Sequence, residues 1–175
     1  MYSVTHTNTG LTRKIYLRCS HANFPHLIGL HYAAERVYGI RDGRTKRFKG
    51  FTAYTNIKNG VIDKQTISNL HKQSYGDIKK KIKFFFLAHK VLADPSAIEF
   101  NKLNCDVLLY KDFFGKRIHI GLKLTRDKAV PITFLIEDLG SITFTKEPQV
   151  IVVHKILKHK KLLIKKNIYD KLRGQ

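Results

Sequence analysis

The apolar positions of this chain change period once along its length. Up to Asp94 they recur mostly every three or four residues, the spacing of a helix face, and beyond Ile98 they alternate, the spacing of a strand. Lys14 to Cys19 (KIYLRC) is the exception in the first half: Ile15 and Leu17 share one side, Tyr16 and Arg18 the other, and the segment reads as a strand. A helix is predicted over 24–38, with Asn23 as N-cap, Pro25 in the first turn and Leu27, Ile28, Leu30, Ala34 and Val37 as its apolar stripe, stopping near Gly39. Residues 40–60 carry glycine and Asn-Gly punctuation inside a dense basic cluster and read as a loop or a pair of short elements. A short polar helix over 62–75 and a stronger one over 77–93 follow. In the second, Ile78, Ile82, Phe85, Phe86, His89 and Leu92 fall at helical spacing, and Asp94-Pro95 ends it.

Strands are predicted over 106–110, 117–124, 131–137, 142–144 and 149–157, joined by short connections that favour antiparallel pairing. The fold class is α+β, with helices in the first half and a sheet formed mainly by the second, which the strand near Ile15 can join. From Lys155 to Arg173 lysines, among them Lys158, Lys160 and Lys161, are interspersed with Leu162, Leu163, Ile164, Ile168 and Leu172, so this stretch reads as a docked basic element. No repeat or composition shift divides the chain, and one domain over 1–175 is expected.

Charge narrows the partners. The chain has 33 Lys+Arg against 13 Asp+Glu, a net charge of +20, while 43% of its residues are hydrophobic. It can bury a core and still present a field that attracts a polyanion, with nucleic acid first in line. Cys19 and Cys105 lie far apart, form no metal-ligand spacing and are too few for a disulfide scaffold, which fits a reduced, cytoplasmic setting. The N-terminal residues are polar, and no apolar run approaches the roughly 18 residues that span a bilayer, so no membrane partner is expected.

The scattered acidic residues give little support to a magnesium nuclease, and no phosphate-binding glycine loop is present, so no metal and no cofactor is expected. Histidine, threonine and basic side chains remain. These suffice for RNA, whose own 2′-OH attacks the phosphodiester once a base removes its proton, cations stabilise the phosphate and an acid protonates the leaving oxygen. His26 and His31 are five residues apart, so on one regular helix they point in different directions. Either can move protons, and either can equally pack its ring. Along RIHIGLKL, Arg117, His119, Gly121 and Lys123 share the face opposite Ile118, Ile120 and Leu122. That face is expected to meet solvent or ligand, with His119 as the better placed histidine and Gly121 leaving room for a phosphate. The Thr133 hydroxyl suits a phosphoryl oxygen, or the residue is simply a good strand former. Arg18, Arg117, Lys123 and Lys111 are candidate charge stabilisers. Phe48 and Tyr54, beside Arg44, Lys46 and Arg47, are candidates to stack on unpaired bases.

The pieces NFPHLIGLHY (Asn23 to Tyr32), DVLLYKDF (Asp106 to Phe113), IHIGLKL (Ile118 to Leu124) and PITFLIE (Pro131 to Glu137), in that order, resemble the phage branch of the barnase, EndoU, colicin and RelE-like ribonuclease superfamily. The resemblance covers most of the chain. It implies N-terminal helices on a twisted antiparallel sheet and a metal-independent endoribonuclease of the toxin kind. By position it puts His26, His119 and Thr133 in catalytic roles with Lys111 as a cationic helper. It also implies an antitoxin partner, an acidic protein or, given the charge, an RNA as in type III toxin–antitoxin systems, with which the toxin would assemble. A non-catalytic RNA-binding regulator explains the charge equally well. A DNA-binding protein has less support, since no helix-turn-helix or zinc-finger pattern is present.

Overall fold

The computed structural model describes residues 2–6, 12–74, 78–100, 102–126, 128–143 and 151–155. Strands β1 (Tyr2–His6) and β2 (Thr12–Leu17) come first. The helical part follows: α1 (Asn23–Leu27), α2 (Leu30–Tyr38), a 3₁₀ segment Gly43–Phe48, α3 (Gly50–Lys58), α4 (Lys64–Ser74), α5 (Ile78–Phe84), a 3₁₀ turn Phe85–Leu87 and α6 (Ala88–Ala93). Strands β3 (Ser96–Glu99), β4 (Val107–Phe113), β5 (Lys116–Thr125), β6 (Lys128–Asp138) and β7 (Ile151–Lys155) complete it. The α+β organisation read from the periodicity is the one observed.

The single helix expected over 24–38 is two. Gly29 adopts the left-handed conformation (φ 79°), which a residue with a β-carbon reaches only at a cost, and the chain reverses direction between α1 and α2. Asn23 is not the N-cap expected of it. Ala22 holds that place, while the Asn23 Oδ1 accepts from the Ser20 N–H at 2.6 Å and its Nδ2 donates to the Pro131 carbonyl at 3.3 Å, tying α1 to β6. The helix expected over 77–93 is also divided. Its 3₁₀ turn has three residues per turn and advances the phase of the stripe, so Leu87 and Val91 are buried while Ile82, Phe86 and His89 are exposed. The basic stretch after Ile40 holds two short elements, with Asp42 capping the first by accepting from the Arg44 N–H at 2.7 Å.

The strands close into a barrel in the order β1-β2-β6-β5-β4-β3-β7. Strands β4, β5 and β6 form an antiparallel meander, but β2 joins β6 in parallel, so the sheet is mixed rather than wholly antiparallel. Strands β1 and β3 were not legible in the alternation; the segment 142–144 expected as a strand is extended coil at Ile142 and Thr143, and Phe144 lies outside the described residues. The final expected strand is β7. The basic element expected to follow it, with Lys158, Lys160 and Lys161, also lies outside the described residues. A bulge interrupts the β5–β6 register between Gly121 and Leu122, opposite Pro131, whose missing N–H cannot join a regular ladder.

Two apolar clusters meet at the helix–sheet junction. One joins Ile118, Ile120, Leu122 and Phe134 of the sheet to Leu27, Leu87 and Val91. The other, within the helices, gathers Ile28, Leu30, Phe48, Leu70 and Ile78. Phe85 bridges them, edge-on to Phe24 at 5.0 Å and to Phe134 at 5.3 Å. Phe48 is fully buried, which corrects the expectation that it meets a base: its ring closes the helical core, with the Arg47 guanidinium over it at 4.7 Å and the Tyr38 ring stacked at 6.1 Å.

Candidate active site

The reversal at Gly29 brings together what a regular helix would keep apart. The His26 and His31 rings stack at 4.5 Å with their planes 13° apart, and the Tyr32 ring closes on them at 3.7 Å from His31 and 5.6 Å from His26. The expectation that the two histidines diverge is therefore corrected, and the cause is one glycine. Both rings line an open cleft of about 370 Å³, with Asn23 beside them, Lys49 and Gly50 at the start of α3 on one side and Pro131 and Ile132 at the β6 bulge on the other. The His26 ring hydrogen-bonds the Ile132 carbonyl, so one ring nitrogen is held as a donor and the other carries a lone pair.

Cations surround the pair. Lys81 of α5 lies over Gly29, where an added β-carbon would sit 3.6 Å from its Nζ. The Lys49 Nζ is 2.7 Å from Glu35, a carboxylate of α2. Gly50 (φ 52°) opens α3, and the first amides of a helix have no acceptor within it, so the positive end of the helix dipole lies at the cleft. Burial is the main reason the His26 ring holds its proton less well than an ordinary imidazole, with the Lys81 charge adding to the effect and the bond to Ile132 opposing it. Burial pushes His31 down to about 4, joined by the charges of His26, Lys49 and Lys81 against the pull of Glu35. At neutral pH both rings are uncharged, ready to accept a proton and, once charged, quick to give it up.

The other expected site residues fall elsewhere. His119 does not face solvent. The sheet curls so that both faces of β5 are covered, and the His119 side chain is fully buried, its Nε2 2.9 Å from the Glu137 Oε2. Burial pushes it down to about 4, against the attraction of Glu137. Glu137 in turn accepts from the Thr143 N–H at 2.9 Å and from the Thr143 hydroxyl. The room expected over Gly121 for a phosphate is filled: a β-carbon there would come within 2.4 Å of the Thr133 Cγ2 and 2.3 Å of the Cys105 Sγ. Thr133 thus packs on β5 across from Gly121, next in the chain to the cleft residue Ile132 but not itself lining the cleft.

Three of the expected charge stabilisers have carboxylate partners in or next to the sheet. Arg117 makes a two-pronged bond to Asp112 at 2.7 and 2.8 Å with its guanidinium 4.7 Å over the Tyr110 ring, Lys123 meets Asp106 at 2.9 Å, and Lys111 meets Asp94. Lys111 shares the register of Ile118, on the face opposite His119. Arg18 is exposed just beyond β2. Arg44 pairs with Asp42 at 2.7 Å and lies 4.6 Å over the Tyr38 ring, and Lys46 and Arg47 are exposed beside it. Tyr54 on α3 stacks with His21 at 4.5 Å. Burial raises both cysteine thiols, Cys105 to about 11, so neither is poised as a nucleophile. Among the described residues there is no group of three or more His, Cys, Asp or Glu placed to hold a metal ion, and no helix long and apolar enough to cross a membrane.

The residues that the sequence reading left out of the site are His31 as a partner of His26, together with Lys49 and Lys81. The signal for the first was present in HLIGLH: a glycine between two histidines is the place where a helix stops and the chain turns back. For the lysines no local signal exists, since α3 and α5 reach the cleft only through tertiary packing. Residues 2–172 match the family described as phage-Barnase-EndoU-ColicinE5/D-RelE like nuclease4. No significant match was found among curated proteins or among solved structures.

Proposed function

The chain belongs to this phage-type nuclease family, and on that premise we propose that the protein is a metal-independent endoribonuclease that cuts single-stranded RNA at the cleft of His26, His31, Lys49 and Lys81. The observation that carries the reading is the stacked pair of neutral imidazoles at an open, cationic cleft. The His26 nitrogen not bonded to Ile132 takes the proton of the 2′-OH, and the 2′-oxygen forms its bond to phosphorus. The imidazolium so formed is a stronger acid than an ordinary one because burial and Lys81 depress its proton affinity. It returns the proton to the 5′-oxygen as the bond from phosphorus to that oxygen breaks, leaving a 2′,3′-cyclic phosphate and a 5′-hydroxyl. Lys49, Lys81 and the α3 N-terminus offset the charge that builds on the non-bridging oxygens. His31 holds the His26 ring in its stacked position.

In a cell such an activity needs restraint, and we assign the protein to a toxin–antitoxin pair, with an RNA or acidic protein antitoxin covering the cationic surface. Incubation of the purified protein with end-labelled single-stranded RNA should give 5′-hydroxyl and cyclic-phosphate ends, at the same rate in EDTA. A salt-sensitive shift without new ends would identify the non-catalytic RNA-binding protein instead, and loss of cleavage in chelator would require a metal.

A further inference from the structure

Next to the histidine cleft lies a second one that the reaction above does not use. Cys19, Ser20, His21, Ala22 and Phe51 line an open space of about 460 Å³. The two clefts adjoin: Ala22 borders both, and Gly50 of the first is followed directly by Phe51 of the second. Phe51 is 65% exposed, a large aromatic ring that the first turn of α3 holds out to solvent rather than in the core. It is not alone. Tyr54, one helical turn on, lies 6.2 Å from it with planes 33° apart, and His21 stacks on Tyr54 at 4.5 Å and 17°.

We infer that this second cleft is a nucleobase subsite, in which one unpaired base of single-stranded RNA stacks on Phe51 while the adjoining phosphate enters the histidine cleft. The inference rests on the endoribonuclease reading and deepens it. An exposed aromatic wall takes any base by its π-face, and the rings of Tyr54 and His21 brace it from behind. Charge selects the class of ligand: the adjoining cleft holds Lys49 beside two imidazoles with Lys81 behind them, on a chain of net charge +20, which suits a base attached to a phosphate. The Cys19 thiol stays protonated because burial raises it, so that wall of the cleft carries no charge to exclude a flat ring. The Ser20 hydroxyl donates to Asn23 at 3.1 Å, which leaves its oxygen free in geometry to accept from the edge of a base.

The test uses the full chain in a His26→Ala background, so that binding is read without cleavage. Fluorescence anisotropy with a labelled single-stranded RNA should show Phe51→Ala weakening binding about 10-fold, as loss of one stacked base predicts, and Phe51→Trp restoring it with tryptophan emission quenched by RNA. The weakening should persist across salt concentrations, because stacking releases no counterions. Since Phe51 is exposed and alanine is a better helix former, Phe51→Ala should fold as the parent does. Normal RNA binding by Phe51→Ala, alongside cleavage by the parent chain, would overturn the subsite and leave the endoribonuclease reading intact. Failure of the parent to bind or cleave RNA would overturn both.

Discussion

The molecule holds histidines in two clusters of polar side chains, and in both burial lowers their proton affinity, but one cluster is sealed and the other open. Inside the barrel, His119 is fully buried against Glu137, with Arg117 and Asp112 paired nearby. At the helix–sheet junction, His26 and His31 stack beside lysines at the mouth of an open cleft. His119 and His31 are both pushed down to about 4 with burial as the first cause, and each has a carboxylate within reach. But His119 is sealed in against Glu137, while His31 lines an open cleft where Lys49 and Lys81 act against Glu35. A depressed imidazole therefore does not by itself mark a catalytic residue. Access and the sign of the neighbouring charge separate a ring that holds a barrel together from one that can meet a phosphate.

The sharpest way to break this comparison is to remove one ring from each cluster. His26→Ala should lower RNA cleavage by about 100-fold or more with the melting temperature little changed, because the ring is half-exposed and its role is proton transfer. His119→Ala should do the reverse. It removes the partner of the Glu137 Oε2 in a buried site and should cost about 1–3 kcal/mol of stability by urea unfolding, while the chain that remains folded cleaves as the parent does. Equal losses of cleavage in both would mean that the buried cluster takes part.

Gly29→Ala tests the turn that makes the open cluster. A β-carbon at φ 79° is strained, so the α1–α2 reversal must relax and the His26–His31 stack open. Cleavage should fall about 10-fold, with a stability loss of about 1 kcal/mol measured in the same unfolding series. The smallest effect is expected from Lys81→Gln. Because the base must be neutral, cleavage by the parent should be lost as pH falls through a midpoint below 6.5, the ordinary value for histidine. Lys81 is one of the groups that lower His26 and His31, so its removal should move that midpoint upward, toward 6.5, in the pH profile of kcat/KM and in NMR titration of the two rings. A midpoint that does not move would place Lys81 away from the rings in solution.

Part of the site was legible before folding. The family resemblance carried by NFPHLIGLHY raises His26, where spacing alone left it equal to His31, and the cationic character follows from composition. His119 misled because alternation shows that a strand has two faces but not that the second face is closed by a barrel. Phe48 misled because a basic neighbourhood looks the same around a loop aromatic and around a core residue that ends a short 3₁₀ segment. Strands β1 and β3 escaped notice because each is held by partners distant in sequence, Tyr2–His6 by β2 and β7 and Ser96–Glu99 by β4 and β7, rather than by its own pattern.

The residue order alone decided the α+β class, the positions of most helices and the main meander, since these depend on periodicity and on glycine and proline, which act within a few residues. It also fixed the net charge of +20, because charge needs no geometry. Which histidines meet, which cations face them and which lie against carboxylates were decided only when α1, α3, α5 and the bulge of β6 came together. Those contacts depend on where separate elements pack, and packing joins residues across long stretches of chain that leave no mark on one another's local sequence.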